Sequence, residues 1–154
     1  VYFPQGFGDN DERANSVRRF TDAFYVAGDM SAGADPVIFA NAYTNAIPGA
    51  KAASTAQYAL DAGADALVTL ANNAGELASV GKLSLDGATV DVSDWGGFDI
   101  VSPEEGTDMA YAILQIEGAE TAGLYSVDLG SGALTEMADL GMGGFTGFAV
   151  AQAQ

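Results

Sequence analysis

Histidine and cysteine are both missing from this chain of 154 residues. Without histidine there is no Ser-His triad, and the commonest general base and the commonest zinc ligand are gone. Without cysteine there is no disulfide framework and no thiolate metal site. Basic residues are nearly absent too: five Lys and Arg face 21 Asp and Glu, for a net charge of −16. Four of the five bases (Arg13, Arg18, Arg19 and Lys51) lie in the first third of the chain. Such a surface repels polyanions, so the expectation is no nucleic-acid partner. No apolar run is long enough for a membrane-spanning helix, so no membrane insertion is expected either.

What is present is a foldable chain. Hydrophobic residues make up 49% of it and mean hydropathy is +0.15, too apolar for a disordered polyelectrolyte. Its length suits a single domain that buries roughly 70% of the unfolded surface. Much of the apolar content is alanine, which predicts a thin core filled out by Phe, Tyr, Leu and Val. The acidic excess has two readings: solubility in a salty or extracellular setting, or cation binding by clustered carboxylates. The sharpest metal candidate is Asp9-Asn-Asp11-Glu12, where oxygen ligands alternate. The central Gly and terminal Glu of an EF-hand loop are absent from their required spacings, so the match is weak: no cofactor is expected, calcium at this loop being the one exception the sequence allows.

The chain also carries an internal repeat. Tyr58-Ala-Leu-Asp61 and Tyr125-Ser-Val-Asp128 are each followed by Gly at +5 and Ala-Leu at +8 and +9, about 67 residues apart. A second Tyr precedes each copy, as Ala42-Tyr43 and Ala110-Tyr111. Alternating apolar and polar residues around glycine turns predict hairpins, with 124–129 pairing with 133–140 across Gly130-Ser-Gly132 and 57–61 with 66–71. Further strands are expected at 20–27, 37–44, 77–85, 89–92, 98–101 and 109–116. Scattered glycines limit helix to one or two short pieces at most. The fold class that follows is all-β, in repeated antiparallel four-stranded units: β-propeller-like, as a partial propeller or a β-sandwich-like domain. The expected organisation is a single β domain over 1–154. It divides into an N-terminal extension (1–19), a first unit (20–94), a second unit (95–140) and a closing strand (141–154).

Several spaced motifs fit one known pattern: Ala27-Gly-Asp-Met-Ser-Ala-Gly-Ala-Asp-Pro-Val37, Ala42-Tyr-Thr-Asn45, Tyr58-x-Leu-Asp61, Gly97-Phe-Asp-Ile100, Leu124-Tyr-Ser-Val-Asp128 and Gly147-Phe-Ala-Val150. Over about residues 20–151 the chain resembles an uncharacterised bacterial family, a domain of unknown function in secreted or surface proteins. That resemblance implies a propeller-like fold and an extracellular, cell-surface or periplasmic location, and it carries no activity.

Chemistry is thinly represented. Asp61 and Asp128 stand beside glycine turns, where Asp normally bonds the backbone two residues on. The repeated tyrosines fit packing between sheets. Trp95 is either a sugar-stacking platform or, more commonly for a lone Trp before a strand, core. Glu104 and Glu105, adjacent on a turn, should diverge into solvent, whereas acid–base pairs need opposed carboxylates. The reading that remains is a non-catalytic structural or interaction module in a larger extracellular or periplasmic assembly; a carboxylate-based or cation-dependent hydrolase acting on carbohydrate is the alternative. Other protein chains are the expected partners, in a homo- or hetero-assembly. The apolar ends of the chain (Tyr2, Phe3, Phe7, Phe145, Phe148 and Val150) are the expected contact residues, because open sheet edges need cover.

Overall fold

The computed structural model describes residues 21–47 and 49–151. Among these, eleven strands and no helix form two sheets. The first sheet holds β1 (Phe24–Tyr25), β2 (Ile38–Tyr43), β3 (Gln57–Asp61), β4 (Ala66–Ala71) and β5 (Glu76–Lys82). The second holds β6 (Ser84–Leu85), β7 (Ala88–Thr89), β8 (Val92–Glu104), β9 (Thr107–Ile116), β10 (Gly123–Val127) and β11 (Ala133–Asp139).

Each sheet has the same plan. Four consecutive strands run as an antiparallel meander, β2 to β5 in one and β8 to β11 in the other. A two-residue strand from earlier in the chain then pairs in parallel with the last strand, β1 on β5 and β6 on β11. The four-stranded units are antiparallel as expected, but the two short parallel strands, which were not expected, make both sheets mixed. Period-2 alternation predicts a strand but not the direction of its neighbour, and these short parallel strands offer only two paired positions each.

The predicted hairpins both form, and their registers agree. Tyr58 faces Thr69, Leu60 faces Leu67 and Asp61 faces Ala66. Displaced by 67 residues, Tyr125 faces Glu136 and Val127 faces Leu134. The Tyr43–Tyr111 equivalence is corrected by two residues. Ala42 lies opposite Tyr58, but Ala112 rather than Ala110 lies opposite Tyr125, so Tyr111 takes the position of Asn41. A slip of two keeps each side chain on its face, so the pattern conceals it. The repeat is also one strand out of phase with the sheets: β3–β4 is the middle hairpin of its meander and β10–β11 the last of its own.

Four further expectations change. The strand expected at 20–27 reduces to β1 within the described part, and the 98–101 strand lengthens into the 13-residue β8. The second sheet begins at Ser84, so the boundary placed at 94/95 falls inside β8. No strand ladder forms over 141–151, where the closing strand was expected.

The core is thin, as the alanine content implies. Register pairs go to opposite faces of the first sheet. Leu60 and Leu67 point into a cluster shared with Phe98, Ile100, Leu114, Tyr125, Val127 and Leu134 of the second sheet. Their neighbours Ala59 and Val68 join Tyr25, Ala64, Ala66 and Leu77 in a smaller cluster on the other face. β2 lies against β8 where the sheets meet. The chain steps from one sheet to the other at Leu83, which is fully buried. Next to that step Gly81 allows the β10–β11 turn to approach, because a Cβ there would collide with the carbonyl oxygen of Ser131.

Candidate functional site

Two of the contact residues expected near the end of the chain, Phe148 and Val150, converge on the outer face of the second sheet. Alternation along β9 buries Ala110 and Ala112 and turns Met109 and Tyr111 outward. Leu124 on β10 and Met137 on β11 join that outward surface, and Met137 is 55% exposed. The tail runs back over it. Ala122 N–H donates to the Met142 carbonyl (2.9 Å) and Gly144 N–H to Gln115 Oε1 (3.1 Å), fixing where the tail leaves β11. Val150 N–H then donates to Asp99 Oδ2 at 2.7 Å. Gly97 makes the crossing possible: a Cβ on it would lie 2.5 Å from the backbone nitrogen of Phe148. Between tail and sheet remains an open groove of about 400 Å³, lined chiefly by Tyr111, Leu124, Met137, Phe148 and Val150.

Phe148 and Val150 thus line one apolar groove and lie on their own chain, half-buried. Phe145 is half-buried as well but does not line it. Tyr2, Phe3 and Phe7, together with the calcium candidates Asp9, Asp11 and Glu12, lie outside the described residues. Sequence reasoning did not find Tyr111, Leu124 or Met137 as groove residues. Their only signal is an apolar side chain at an outward position of a strand, which is common and uninformative singly.

Carboxylates serve the backbone. Asp61, fully buried, accepts from Tyr25 Oη, Val37 N–H (2.8 Å) and Gly63 N–H (2.7 Å). Burial first, and then the Asp61 carboxylate, raises the Tyr25 hydroxyl far above its ordinary value. Asp128, its repeat counterpart, is exposed and accepts from Gly130 N–H (3.0 Å) and Ser131 Oγ (2.6 Å). Both make the turn bond to the residue two further on, as expected of Asp before a glycine turn. The Ser131 hydroxyl, with backbone N–H groups behind it, holds Asp128 below the usual carboxylate range. Asp29 is raised by burial but lowered more by Ser31 and by both the N–H and hydroxyl of Ser79, and ends below that range.

Other acids tie loops across the molecule. Asp108 accepts from Asn45 N–H (2.8 Å) and Ser102 Oγ (2.6 Å). Asn45 sits at φ 56°, a left-handed conformation Asn tolerates, and its side chain accepts from Gly106 N–H at 2.7 Å. Asp65 receives Val92 N–H at the start of β8 (2.9 Å). Glu104 and Glu105 diverge as expected, Glu104 toward Thr107 and Glu105 to Ala53 N–H. Trp95 is 48% exposed at an outward position of β8, so the core reading is corrected. Tyr125 is buried and Tyr58 packs on the same core, but Tyr43 is 40% exposed, so packing between sheets accounts for only part of the tyrosine set.

Two carboxylates do share one small pocket. Glu136 and Asp139 line a space of about 190 Å³ with Tyr125, whose hydroxyl is raised by burial and then by those two charges. Asp139 also caps its own turn through Gly141 N–H (2.9 Å).

These features define an all-β protein of two mixed sheets whose described aspartates act largely as acceptors for loop backbone. Comparison with known families gives a match to one family model over residues 11–149, and the chain belongs to that family, described as a domain of unknown function (DUF4394). The match takes in residues 11–19, which the motif resemblance left out. No curated protein matches the chain.

Proposed function

We propose that this chain is a non-catalytic structural or interaction module of a larger extracellular or periplasmic assembly, its two meanders serving as blades of a propeller-like fold. The observation that carries the reading is the apolar groove between the tail and the second sheet, on a chain of net charge −16. Uncovered apolar surface on so acidic a protein is where a partner chain gains most from burial, while the surrounding charge disfavours non-specific contact. The blade reading is supported by two antiparallel four-strand meanders whose first strands, β2 and β8, face each other. The location is supported by the acidic composition together with the family resemblance.

Sedimentation velocity at moderate salt, with cross-linking from position 137 in the native extract, tests the module. The expected result is a species heavier than 15.6 kDa or a discrete cross-linked protein, lost on Leu124→Glu elsewhere in the groove. A monomer at every concentration with no cross-linked product would overturn it. One observation favours the runner-up, a carboxylate-based hydrolase of carbohydrate: Glu136 and Asp139 converging beside Tyr125. Polysaccharide cleavage abolished by Glu136→Gln would replace the module reading with that one.

A further inference from the structure

The end of the first sheet carries a second cleft, unlike the rest of the surface in its chemistry. Tyr43 closes β2, Gln57 opens β3 directly opposite it, and the β4–β5 turn brings Asn72 and Asn73 alongside. The open cleft measures about 300 Å³, and none of the residues lining it is charged. On a chain of net charge −16, a lining that is polar yet uncharged sets the cleft apart both from the apolar tail groove and from the pocket of Glu136 and Asp139.

Its groups are an aromatic face and side-chain amides. Tyr43 is 40% exposed, and its hydroxyl oxygen accepts from Asn72 Nδ2 at 2.7 Å, which fixes the ring and leaves the O–H proton available to donate. Gln57 donates through Nε2 to Asn41 Oδ1 at 2.9 Å, while its Oε1 is the one buried side-chain polar atom among the described residues without a partner. A buried acceptor left unpaired carries a desolvation cost that a ligand hydroxyl, reached by a small rotation of the amide, would relieve. The Asn73 side chain makes no hydrogen bond within the described residues.

We propose that this cleft binds a neutral saccharide, with Tyr43 as the stacking face and the amides of Gln57, Asn72 and Asn73 as partners for its hydroxyls. A sugar ring has an apolar C–H face for the tyrosine and neighbouring hydroxyls that both donate and accept, which is what paired carbonyl and amino groups of side-chain amides match. The volume lies at the small end of ligand sites, about 300–1,000 Å³, and suits the end of a short oligosaccharide. The lining offers no cationic group for an anion, and the protein's overall field repels one.

The test is a titration of the isotope-labelled full chain with glucose, galactose, N-acetylglucosamine and their trimers, followed by amide resonances. Galacturonate trimer is the charged control, and a short Ser/Asn-rich peptide the non-sugar control. The expected result is saturable movement of the Tyr43, Gln57 and Asn72 resonances by at least one neutral sugar, with Kd of about 1 mM or tighter. Tyr43→Ala should weaken binding about tenfold or more. Asn72→Ala, in an exposed turn, should also weaken it while leaving resonances elsewhere in place, so the result does not depend on one variant. Silence toward every neutral sugar at about 10 mM, movement that survives both substitutions, equal response to galacturonate, or response to the peptide alone would each overturn the proposal.

Discussion

Replacing Asp61 with alanine removes the acceptor of three hydrogen bonds at once: those from Tyr25 Oη, Val37 N–H and Gly63 N–H. Asp61 is fully buried and Tyr25 nearly so, which leaves little water to compensate. A stranded buried donor costs about 1–3 kcal/mol, which applies in full to the Tyr25 hydroxyl, while Val37 and Gly63 are exposed residues whose N–H groups recover part of theirs from water. The space left by a carboxylate holds roughly one water, which recovers part of that, so the expected loss is about 3–5 kcal/mol. A domain of this size holds about 5–15 kcal/mol in total, so the variant should fold but sit near its limit. With a urea m-value of about 1–3 kcal/mol/M, the unfolding midpoint should drop by about 2 M. Asp61→Asn keeps one acceptor oxygen and should lose about 1–2 kcal/mol. Asp128 provides the internal control. It occupies the same place in the repeat and makes the same turn bond, yet it is exposed, so Asp128→Ala should shift the midpoint by a small fraction of the Asp61→Ala shift. Equal shifts for the two alanine variants, or a shift below about 0.5 M for Asp61→Ala, would refute the reasoning that burial decides the weight of these bonds.

Stability should fall at both ends of the pH scale. Asp29 and Asp128 are held below their ordinary value of 3.8, so their contribution is present above that pH and is lost as pH falls through the folded values. Tyr25 and Tyr125 are raised above 10.0, so theirs is full below pH 10 and is lost as pH climbs toward the folded values. Urea midpoints measured in about 1 M NaCl, where general repulsion is screened, check this; an unchanged midpoint from neutral pH to below about 3.5 would contradict it. Salt itself should raise the melting temperature, because 21 acids against 5 bases repel over a screening length of about 8–10 Å near physiological ionic strength. Calcium should raise it further if carboxylates cluster. A melting temperature indifferent to salt and calcium would show that the charges are spaced too far apart to matter.

Much of this protein is written in local patterns. Alternation and glycine turns located both repeat hairpins, with β3 and β4 at the predicted residues, because side-chain period and turn conformation are properties of a few neighbouring residues. The Asp-before-Gly signal gave the turn bonds of Asp61 and Asp128 for the same reason. Composition alone ruled out histidine and thiol chemistry and implied the alanine-rich core. Contacts distant in sequence were not legible. Nothing near β1 or β6 in the chain announces a parallel partner, since the pairing joins Tyr25 to Leu77 and Leu85 to Leu134. Asp61 and Asp128 look alike in sequence, yet one is buried under Tyr25 and the other lies in solvent, because only the first has the 26–37 segment folded across it. The same holds for the two clefts. Tyr111, Leu124 and Met137 become one groove only when the tail crosses Gly97, and Tyr43 meets Asn72 only when the β4–β5 turn returns to the end of β2. The sequence by itself determined the repeat hairpins, their turns and the charge; which surfaces were brought together was decided by packing between segments tens of residues apart, where no local propensity acts.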